Sequence, residues 1–191
     1  MNLPAILLAS ASPRRADLLR GLGVEFTVLA SDAPEVAPEH LSPSETAQTN
    51  AYRKARAVAK QFPDRLVLGA DTVVSLGDEQ FAKPADMADA ERMLARLQGR
   101  AHLVVTGVCL LQLRRHRQRL FAVNTAVTFR KLHLKQIRRY LAAIHPFDKA
   151  GSYAIQEEGD LIVKHIAGSF SNVVGLPVER LREELETWQA G

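Results

Sequence analysis

The amino-acid sequence predicts an α/β fold, built as a twisted mixed β-sheet with flanking helices. Short apolar runs typical of strands alternate along the chain with stretches of helical periodicity, which is the pattern of α/β proteins. Two of the β-rich runs are long and adjacent, which favours an antiparallel pair. The 191 residues are 47% hydrophobic and 24% charged, so the chain can bury a core as one domain or as two small, tightly joined lobes.

The first elements are predicted as strand, helix and strand. Residues 5–9 (AILLA) form an apolar run that we interpret as a buried strand. Ser12 and Pro13 suit the N-cap and the first position of a helix that ends near Gly21 or Gly23. Residues 25–29 predict a second strand. The apolar face of the helix consists of Leu18, Leu19 and Leu22.

Two helices and a strand are predicted in the middle of the chain. Residues 42–45 (SPSE) read as a capping box that starts a helix, and Pro63 stops it. Residues 66–76 predict a strand that is apolar on both faces except at Asp71 and Thr72. Asp86 suits the N-cap of the next helix, and Gly99 follows its end. The apolar stripes are Ala47, Ala51, Ala55, Val58 and Phe62 in the first helix, and Met87, Ala90, Leu94 and Leu97 in the second.

The C-terminal half predicts an antiparallel pair, then helix, strand and helix. Residues 102–113 and 120–129 form the pair, joined by the basic segment 114–119 (RRHRQR). We interpret this segment as a solvated hairpin tip; contact with a polyanion is the alternative. Residues 161–166 predict a late strand. The flanking helices cover residues 134–144 and a segment opened by Pro177, with inward faces formed by Ile137, Tyr140, Leu141 and Ile144, and by Val178, Leu181, Leu185 and Trp188.

Composition excludes several classes of function. The net charge of +4 is too small to indicate a nucleic-acid binder. The single cysteine, Cys109, excludes an intrachain disulfide or a cysteine cluster for zinc, and its apolar surroundings predict a buried, inert thiol. No segment approaches the ~20 apolar residues of a membrane span. The apolar residues 1–9 lack the basic lead-in and the length of a signal peptide, so we expect a cytoplasmic protein without membrane contact.

The segment SASPRR, residues 10–15, is the first candidate site. It combines hydroxyls, free backbone N–H groups and the guanidinium groups of Arg14 and Arg15 at a helix N-terminus, where the helix dipole favours anions. Two cations in the first turn oppose that dipole, which hints at an anionic ligand such as a triphosphate. A plain N-cap followed by two surface arginines is the alternative.

Asp71 is the sharpest single signal, because it interrupts the apolar strand LVLGADTVV, residues 66–74. An ionised carboxylate is costly to bury unless it is paired or binds a metal. Alternation places Val67, Gly69, Asp71 and Val73 on one face, and the small residues beside the carboxylate leave room. Asp71 is therefore a candidate metal ligand or proton acceptor. A structural aspartate bonded to a backbone N–H is the alternative.

Further charged residues could complete such a site. Lys83, followed by Pro84, could reach a phosphate, and Lys54 lies on the alanine-rich helix after the capping box. Glu35, in a proline-rich acidic loop, could complete an oxygen-ligand site for Mg²⁺ or Mn²⁺. Each of these side chains could instead be an ordinary solvated group.

Two later segments, DKAGSYAIQ (residues 148–156) and GSFSNVVGLP (residues 168–177), combine small residues with polar heads. Gln156 has a donor and an acceptor suited to a base edge. Each segment could equally be a tight structural turn.

Five motifs in fixed order resemble those of the Maf nucleotide pyrophosphatases: LASASPRR, GADTVV, Lys83-Pro84, DKAGSYAIQ and GSFSNVVGLP. The resemblance covers residues 6–185, so we expect one Maf-like domain over residues 1–191. It implies an α/β fold with two lobes around a cleft, often as a homodimer. It also implies hydrolysis of a nucleoside triphosphate between the α- and β-phosphates, with a divalent metal and release of pyrophosphate.

The resemblance also assigns roles to residues. It places the proton acceptor at Asp71 and the acidic loop residue at Glu35. Arg14, Thr72 and Gln156 match the substrate-selecting positions of the subgroup that acts on dTTP and UTP. The phosphate and cleft positions are Ser10, Arg14, Arg15, Lys54 and Lys83.

Two alternatives and two departures remain. The alternatives are the subgroup acting on 7-methyl-GTP and a nucleotide-binding regulator of cell division without turnover. Glu157 and Glu158 stand where the family commonly has glycine, which could alter affinity or nucleobase range. Ala82 replaces a common glycine, with little expected effect.

Overall fold

The computed structural model describes residues 5–38 and 40–189. Residues 1–4 of the apolar opening, and residues 39, 190 and 191 of the expected single domain, lie outside the described residues. The described residues form the strands β1 (Ile6–Leu8), β2 (Phe26–Val28), β3 (Val67–Leu76), β4 (Glu79–Phe81), β5 (Ala101–Gln112), β6 (Arg117–Phe129) and β7 (Val163–Ala167). The helices are α1 (Pro13–Gly21), α2 (Pro43–Gln61), α3 (Met87–Leu97), α4 (Leu134–Ala143), α5 (Phe170–Val174) and α6 (Val178–Gln189).

All seven strands belong to one mixed sheet, with the order β2-β1-β3-β5-β6-β7 and with β4 beside β3. Strand β1 pairs in parallel with both β2 and β3. The pairs from β3 through β5 and β6 to β7 are antiparallel. The predicted mixed sheet with flanking helices is therefore confirmed, including the hairpin formed by the two long strands.

One edge of β3 is interrupted in its middle. At its start, Val67 and Leu68 pair with β1, and at its end residues 74–76 pair with β4. Between these stretches, residues 69–73 pair with β5 on one edge, and no strand in the described part of the chain pairs with them on the other. Asp71 and Thr72 lie in this gap, where the sheet opens to a cleft.

Helices cover both faces of the sheet and divide one face into two lobes. On that face, α1 and α6 pack on the start of β3 through a core that includes Leu19, Leu68 and Leu185. Beyond the gap, α3 and α4 pack on the end of β3 through a second core. On the opposite face, α2 covers β1, β3 and β5 with its alanine-rich stripe.

The close packing of α2 depends on two glycines in the sheet. A Cβ on Gly69 would lie 2.3 Å from the carbonyl oxygen of Ala51, and one on Gly107 would lie 2.3 Å from the carbonyl carbon of Ala47. Neither distance is sterically allowed, so only glycine permits this approach. Gly69 was expected to leave room beside Asp71, but the backbone of α2 fills that room.

Several local expectations need correction. Phe62 is 41% exposed because α2 has ended at Gln61, and Met87 is 41% exposed because it is the first residue of α3. Ser12 is the N-cap of α1, but its side chain makes no capping hydrogen bond. The short elements β4 and α5 were not predicted. Within the described residues, none of the helices has the length and apolar character that a membrane crossing requires.

Candidate active site

A cleft of about 690 Å³ opens at the gap in β3, between the two lobes. It collects side chains from α1, the loop after β2, α2, β3, the segment after β4 and the segment after α4. All of the predicted site residues line it: Ser10, Arg14, Arg15, Glu35, Lys54, Asp71, Thr72, Lys83 and Gln156. Asp71 and Thr72, being neighbours on a strand, point to opposite faces of the sheet, and the interrupted edge lets both reach the same cleft.

The inner part of the cleft holds two carboxylates joined by a lysine. Lys54 Nζ donates to Asp71 Oδ1 at 2.6 Å and to Glu35 Oε1 at 2.7 Å. Asp71 is 5% exposed, so its charge requires this compensation. The two oxygens are at most 5.3 Å apart, the sum of these distances. Lys54 is therefore not the solvated side chain that is usual for lysine, and Asp71 pairs with side chains.

Glu35 lies nearer the mouth of the cleft, with its side chain 46% exposed. Its partial burial alone would raise its pKa, but the hydrogen bond and charge of Lys54, together with Lys83, outweigh that effect and hold the pKa below its usual value. Lys83 Nζ is 3.4 Å from Glu35 Oε1 and half exposed. Glu35 is thus an ionised oxygen donor between two cations.

Arg15 is tied into the wall of the cleft by three hydrogen bonds. It donates to Ser10 Oγ at 3.2 Å, to Thr72 Oγ1 at 3.0 Å and to the carbonyl of Gly175 at 2.9 Å. Burial lowers the pKa of Arg15, while the nearby charge of Asp71 opposes that shift; guanidinium remains charged in proteins. The arginine is held in one orientation with its charge facing the cleft.

Arg14 connects the two walls of the cleft. Its guanidinium donates to Asp148 Oδ2 at 3.0 Å, across from α1 to the segment after α4. Partial burial would raise the pKa of Asp148, but Lys149 and Arg14 hold it below its usual value. A phosphate group entering the cleft would compete with this exposed carboxylate for Arg14.

Gln156 is exposed at the mouth of the cleft, and the two glutamates after it differ in role. Glu157 lies 3.3 Å from Lys149, a buried lysine that also donates to the carbonyl of His145. The ammonium group of Lys149 therefore bonds to groups of the protein rather than to a ligand in the cleft. Glu158 has a left-handed backbone conformation with φ 52°, which explains why glycine suits this region.

Asn50 was missed by the sequence analysis. Its side chain is 3% exposed and donates to Asp71 Oδ2 at 3.0 Å. The available signal was a polar residue between Ala47 and Ala51 in the buried stripe of α2, where an amide needs a partner.

The donor set fits a divalent cation. Asp71 and Glu35 offer carboxylate oxygens, which Mg²⁺ and Mn²⁺ prefer, and Lys54 holds both of these oxygens around one point. Within residues 5–38 and 40–189, no group of three or more His, Cys, Asp or Glu side chains could hold a metal. Mg²⁺ commonly uses one or two carboxylates and takes its remaining ligands from phosphates and water.

Fold and cleft together define a class: an α/β protein with a carboxylate pair inside a cationic cleft suited to a phosphorylated ligand. Comparison with known proteins gives the family. The family model described as "Maf-like protein" matches residues 5–188. The chain belongs to the Maf family.

Curated relatives agree with this assignment, and solved structures of other proteins share the fold. The chain is 47% identical over 180 residues to a dTTP/UTP pyrophosphatase of Moorella thermoacetica (94% of this chain, 93% of the relative). It is 43% identical over 181 residues to one of Syntrophus aciditrophicus (95% and 88%). The fold is shared with the Ham1 protein of Staphylococcus aureus, at a TM-score of 0.54 and 14% identity, with 96% of this chain and 99% of that chain covered. It is also shared with a HAM1 protein of Coxiella burnetii, at a TM-score of 0.57 and 15% identity, with 97% of this chain and 100% of that chain covered.

Proposed function

We propose that this chain is a nucleoside triphosphate pyrophosphatase that hydrolyses dTTP and UTP to the monophosphate and pyrophosphate, using a divalent metal ion. The names of its relatives at 42–47% identity support the activity and the substrates. The observation that carries the proposal is the buried carboxylate of Asp71, joined through Lys54 to Glu35 inside a cleft that Arg14, Arg15 and Lys83 also line.

The triphosphate is bound by the cations of the cleft. Arg15 is held in place by its three hydrogen bonds, and Arg14 and Lys83 also line the cleft. Forked guanidinium groups fit phosphate oxygens, and a fixed orientation lowers the entropy cost of binding. Ser10 accepts from Arg15 and from the backbone N–H of Ser12, so it shapes the same wall.

Hydrolysis requires a water molecule directed at the α-phosphorus. As the new oxygen–phosphorus bond forms, the bond from the α-phosphorus to the bridging oxygen breaks, and pyrophosphate leaves with that electron pair. Asp71 Oδ1 faces the cleft and accepts the proton of the water, while Lys54 fixes the orientation of the carboxylate. Positioning and neutralisation of charge supply most of the rate gain in such reactions.

Asp71 and Glu35 are the residues that would hold the metal ion. When bound, Mg²⁺ or Mn²⁺ would neutralise charge on the phosphate oxygens. Lys54 lies between the two carboxylates, so it must share them with the ion or turn toward a phosphate.

Thr72 suits thymine and uracil because its own proton is already committed. Thr106 Oγ1 donates to the carbonyl of Asn172, so the bond between Thr72 and Thr106 must use the proton of Thr72. Thr72 also accepts from Arg15. One lone pair is left, which can accept from the N3–H of thymine or uracil; cytosine has no proton at N3. Gln156, at the mouth, offers both an acceptor and a donor to the base.

A triphosphate panel with pyrophosphate detection and several metals tests the proposal. We expect dTTP and UTP to be hydrolysed far faster than CTP, with Asp71→Asn folded but inactive. Gln156→Ala should raise the KM for dTTP more than it lowers kcat. Preference for 7-methyl-GTP would overturn the substrate assignment. Thermal stabilisation by nucleotides without product would instead indicate a non-catalytic nucleotide-binding protein.

Three further expectations from the sequence stay predictions: a cytoplasmic location, association into a homodimer, and the absence of nucleic-acid binding. Size-exclusion chromatography with light scattering measures the second directly.

A further inference from the structure

We propose that Asn50 is a positioning residue that holds both carboxylates of the candidate active site in the geometry needed to bind the metal ion. This inference rests on the proposed function, because it concerns the same cleft. Asn50 lies on α2 one helical turn before Lys54, and its side chain is almost completely buried. Asn50 lines the cleft, but its amide is fully used by Asp71 and Val36, so any effect on the metal site must pass through these neighbours.

The first of these neighbours is Asp71. Asn50 Nδ2 donates to Asp71 Oδ2 at 3.0 Å, on the opposite side of the carboxylate from Lys54. One oxygen is thus committed to Asn50, and Oδ1 is the oxygen that faces the cleft. A carboxylate held on both oxygens cannot rotate about its terminal bond without losing a buried hydrogen bond.

The second neighbour is the loop that carries Glu35. Asn50 Oδ1 accepts from the backbone N–H of Val36 at 2.9 Å, and Asn50 Nδ2 donates to the carbonyl of the same residue at 2.9 Å. This paired contact fixes the backbone next to Glu35. Two further side chains of α2 reach the loop, since Lys54 bonds Glu35 and Arg53 donates to the carbonyl of Pro34 at 3.4 Å.

The amide of Asn50 can satisfy all three contacts in only one orientation. Both of its N–H groups are used, one by Asp71 and one by Val36. A flipped amide would turn its oxygen toward the carboxylate and its NH₂ toward the N–H of Val36, so both contacts would become repulsive. Asn50 therefore sets the position of the Glu35 loop relative to Asp71, and with it the spacing of the two oxygen donors.

Loss of this contact should weaken metal binding specifically. Partners that orient metal-binding carboxylates typically contribute 10- to 100-fold in metal affinity or activity. We expect Asn50→Leu, which keeps the branched shape of the side chain and removes the three hydrogen bonds, to weaken metal binding by roughly that factor. The KM for dTTP at saturating metal should change much less, because the arginines that bind the triphosphate do not contact Asn50.

Gln112 provides a matched control. Its buried side-chain amide also holds a loop, by donating to the carbonyl of Asp64 at 2.7 Å. Gly107 is the residue of β5 that pairs with Asp71, and Gln112 lies five residues further along the same strand. At the rise of a β-strand, this places Gln112 about 16 Å from Gly107. Gln112→Leu should therefore lower stability without changing metal binding.

The experiment measures Mn²⁺ affinity by electron paramagnetic resonance, in the presence of the non-hydrolysable α,β-imido analogue of dUTP. Wild type, Asn50→Leu, Asn50→Ala and Gln112→Leu are compared at temperatures where each is folded by circular dichroism; the alanine variant serves if the leucine variant does not fold. Reduced Mn²⁺ affinity in the Asn50 variants alone supports the inference. Wild-type affinity in those variants, or an equal loss in Gln112→Leu, overturns it.

Activity assays separate this inference from the function it rests on. A wild type that binds Mn²⁺ with the analogue but releases no pyrophosphate from dTTP contradicts the proposed hydrolysis and leaves the Asn50 result standing. A wild type that binds no Mn²⁺ overturns the metal-dependent part of the function and the role of Asn50 together.

Discussion

Replacing Lys54 with methionine removes the cation that joins the two carboxylates of the candidate active site. The side chains of Lys54 and Asp71 are only 12% and 8% exposed, and their charged atoms are 2.6 Å apart. Removing one partner of a buried ion pair typically costs about 3–5 kcal/mol, because the other charge stays buried without compensation. Asn50 still donates to Asp71, and solvent screens the half-exposed Glu35, so we expect a loss of about 2–4 kcal/mol in the free energy of unfolding.

A double-mutant cycle in urea measures this interaction. Asp71→Asn removes the charge that Lys54 compensates, and the new amide can turn its oxygen toward Asn50 and its NH₂ toward Met at position 54. The double variant should therefore lose less stability than the two single variants added together, with a coupling energy of at least ~1.5 kcal/mol. Additive losses, or a loss below ~1 kcal/mol in Lys54→Met, would show that the pair is screened like a surface ion pair and would refute the reasoning.

Three other variants test separate features of the fold. Burial lowers the pKa of His102 to about 4, below the unfolded value near 6.5, so the unfolded state takes up a proton first and stability falls as pH drops from 6.5 to 4. In urea titrations at pH 7 and pH 5, the free energy of unfolding should differ less between the two pH values in His102→Gln than in the wild type. Gly69→Ala, whose Cβ would clash with Ala51, should lower the free energy of unfolding by about 1–3 kcal/mol or more, while Gly21→Ala, with open space around it, should not. Glu158→Gly should raise the melting temperature, by relieving up to about 1 kcal/mol of left-handed backbone strain.

Periodicity and capping signals predicted most of the secondary structure because they are local. The capping box of α2 is present, with Glu45 N donating to Ser42 Oγ and the Glu45 side chain accepting from Ser42 N. Asp86 caps α3, where its side chain accepts from the backbone N–H of Asp89. The burial of Cys109, whose pKa is raised to about 12, also follows from its apolar run. For the two caps, neighbours within four residues along the chain determine the structure.

Features that depend on distant parts of the chain were not predictable from such patterns. Strand β4 has three residues and is stabilised mainly by pairing with the end of β3. Helix α5 has five residues, and its Asn172 is buried because Nδ2 donates to Val104 O and Thr125 Oγ1, on β5 and β6. Neither segment contains enough residues to show a period.

Among the site residues, too, only those with a local sequence signal were predictable from such patterns. Asp71 was visible because a charge in an apolar strand is costly wherever the strand lies. Asn50 was not, because its contacts with Asp71 and Val36 join residues 21 and 14 positions apart. Its neighbour Lys54 entered the predicted site through the family resemblance, since a single lysine on a helix carries no such signal.

The packing of α2 connects the stability of the fold to the chemistry of the cleft. Asparagine is short, so Asn50 can reach Asp71 only if the helix axis lies unusually near the sheet. The two glycines of β3 and β5 and the alanine stripe of α2 permit this approach. The interrupted edge of β3 then exposes one oxygen of the same carboxylate to the cleft. A substitution that moves α2 outward should therefore reduce stability and metal binding together, whereas the cores under α1 and α6 can lose stability with the carboxylate pair intact.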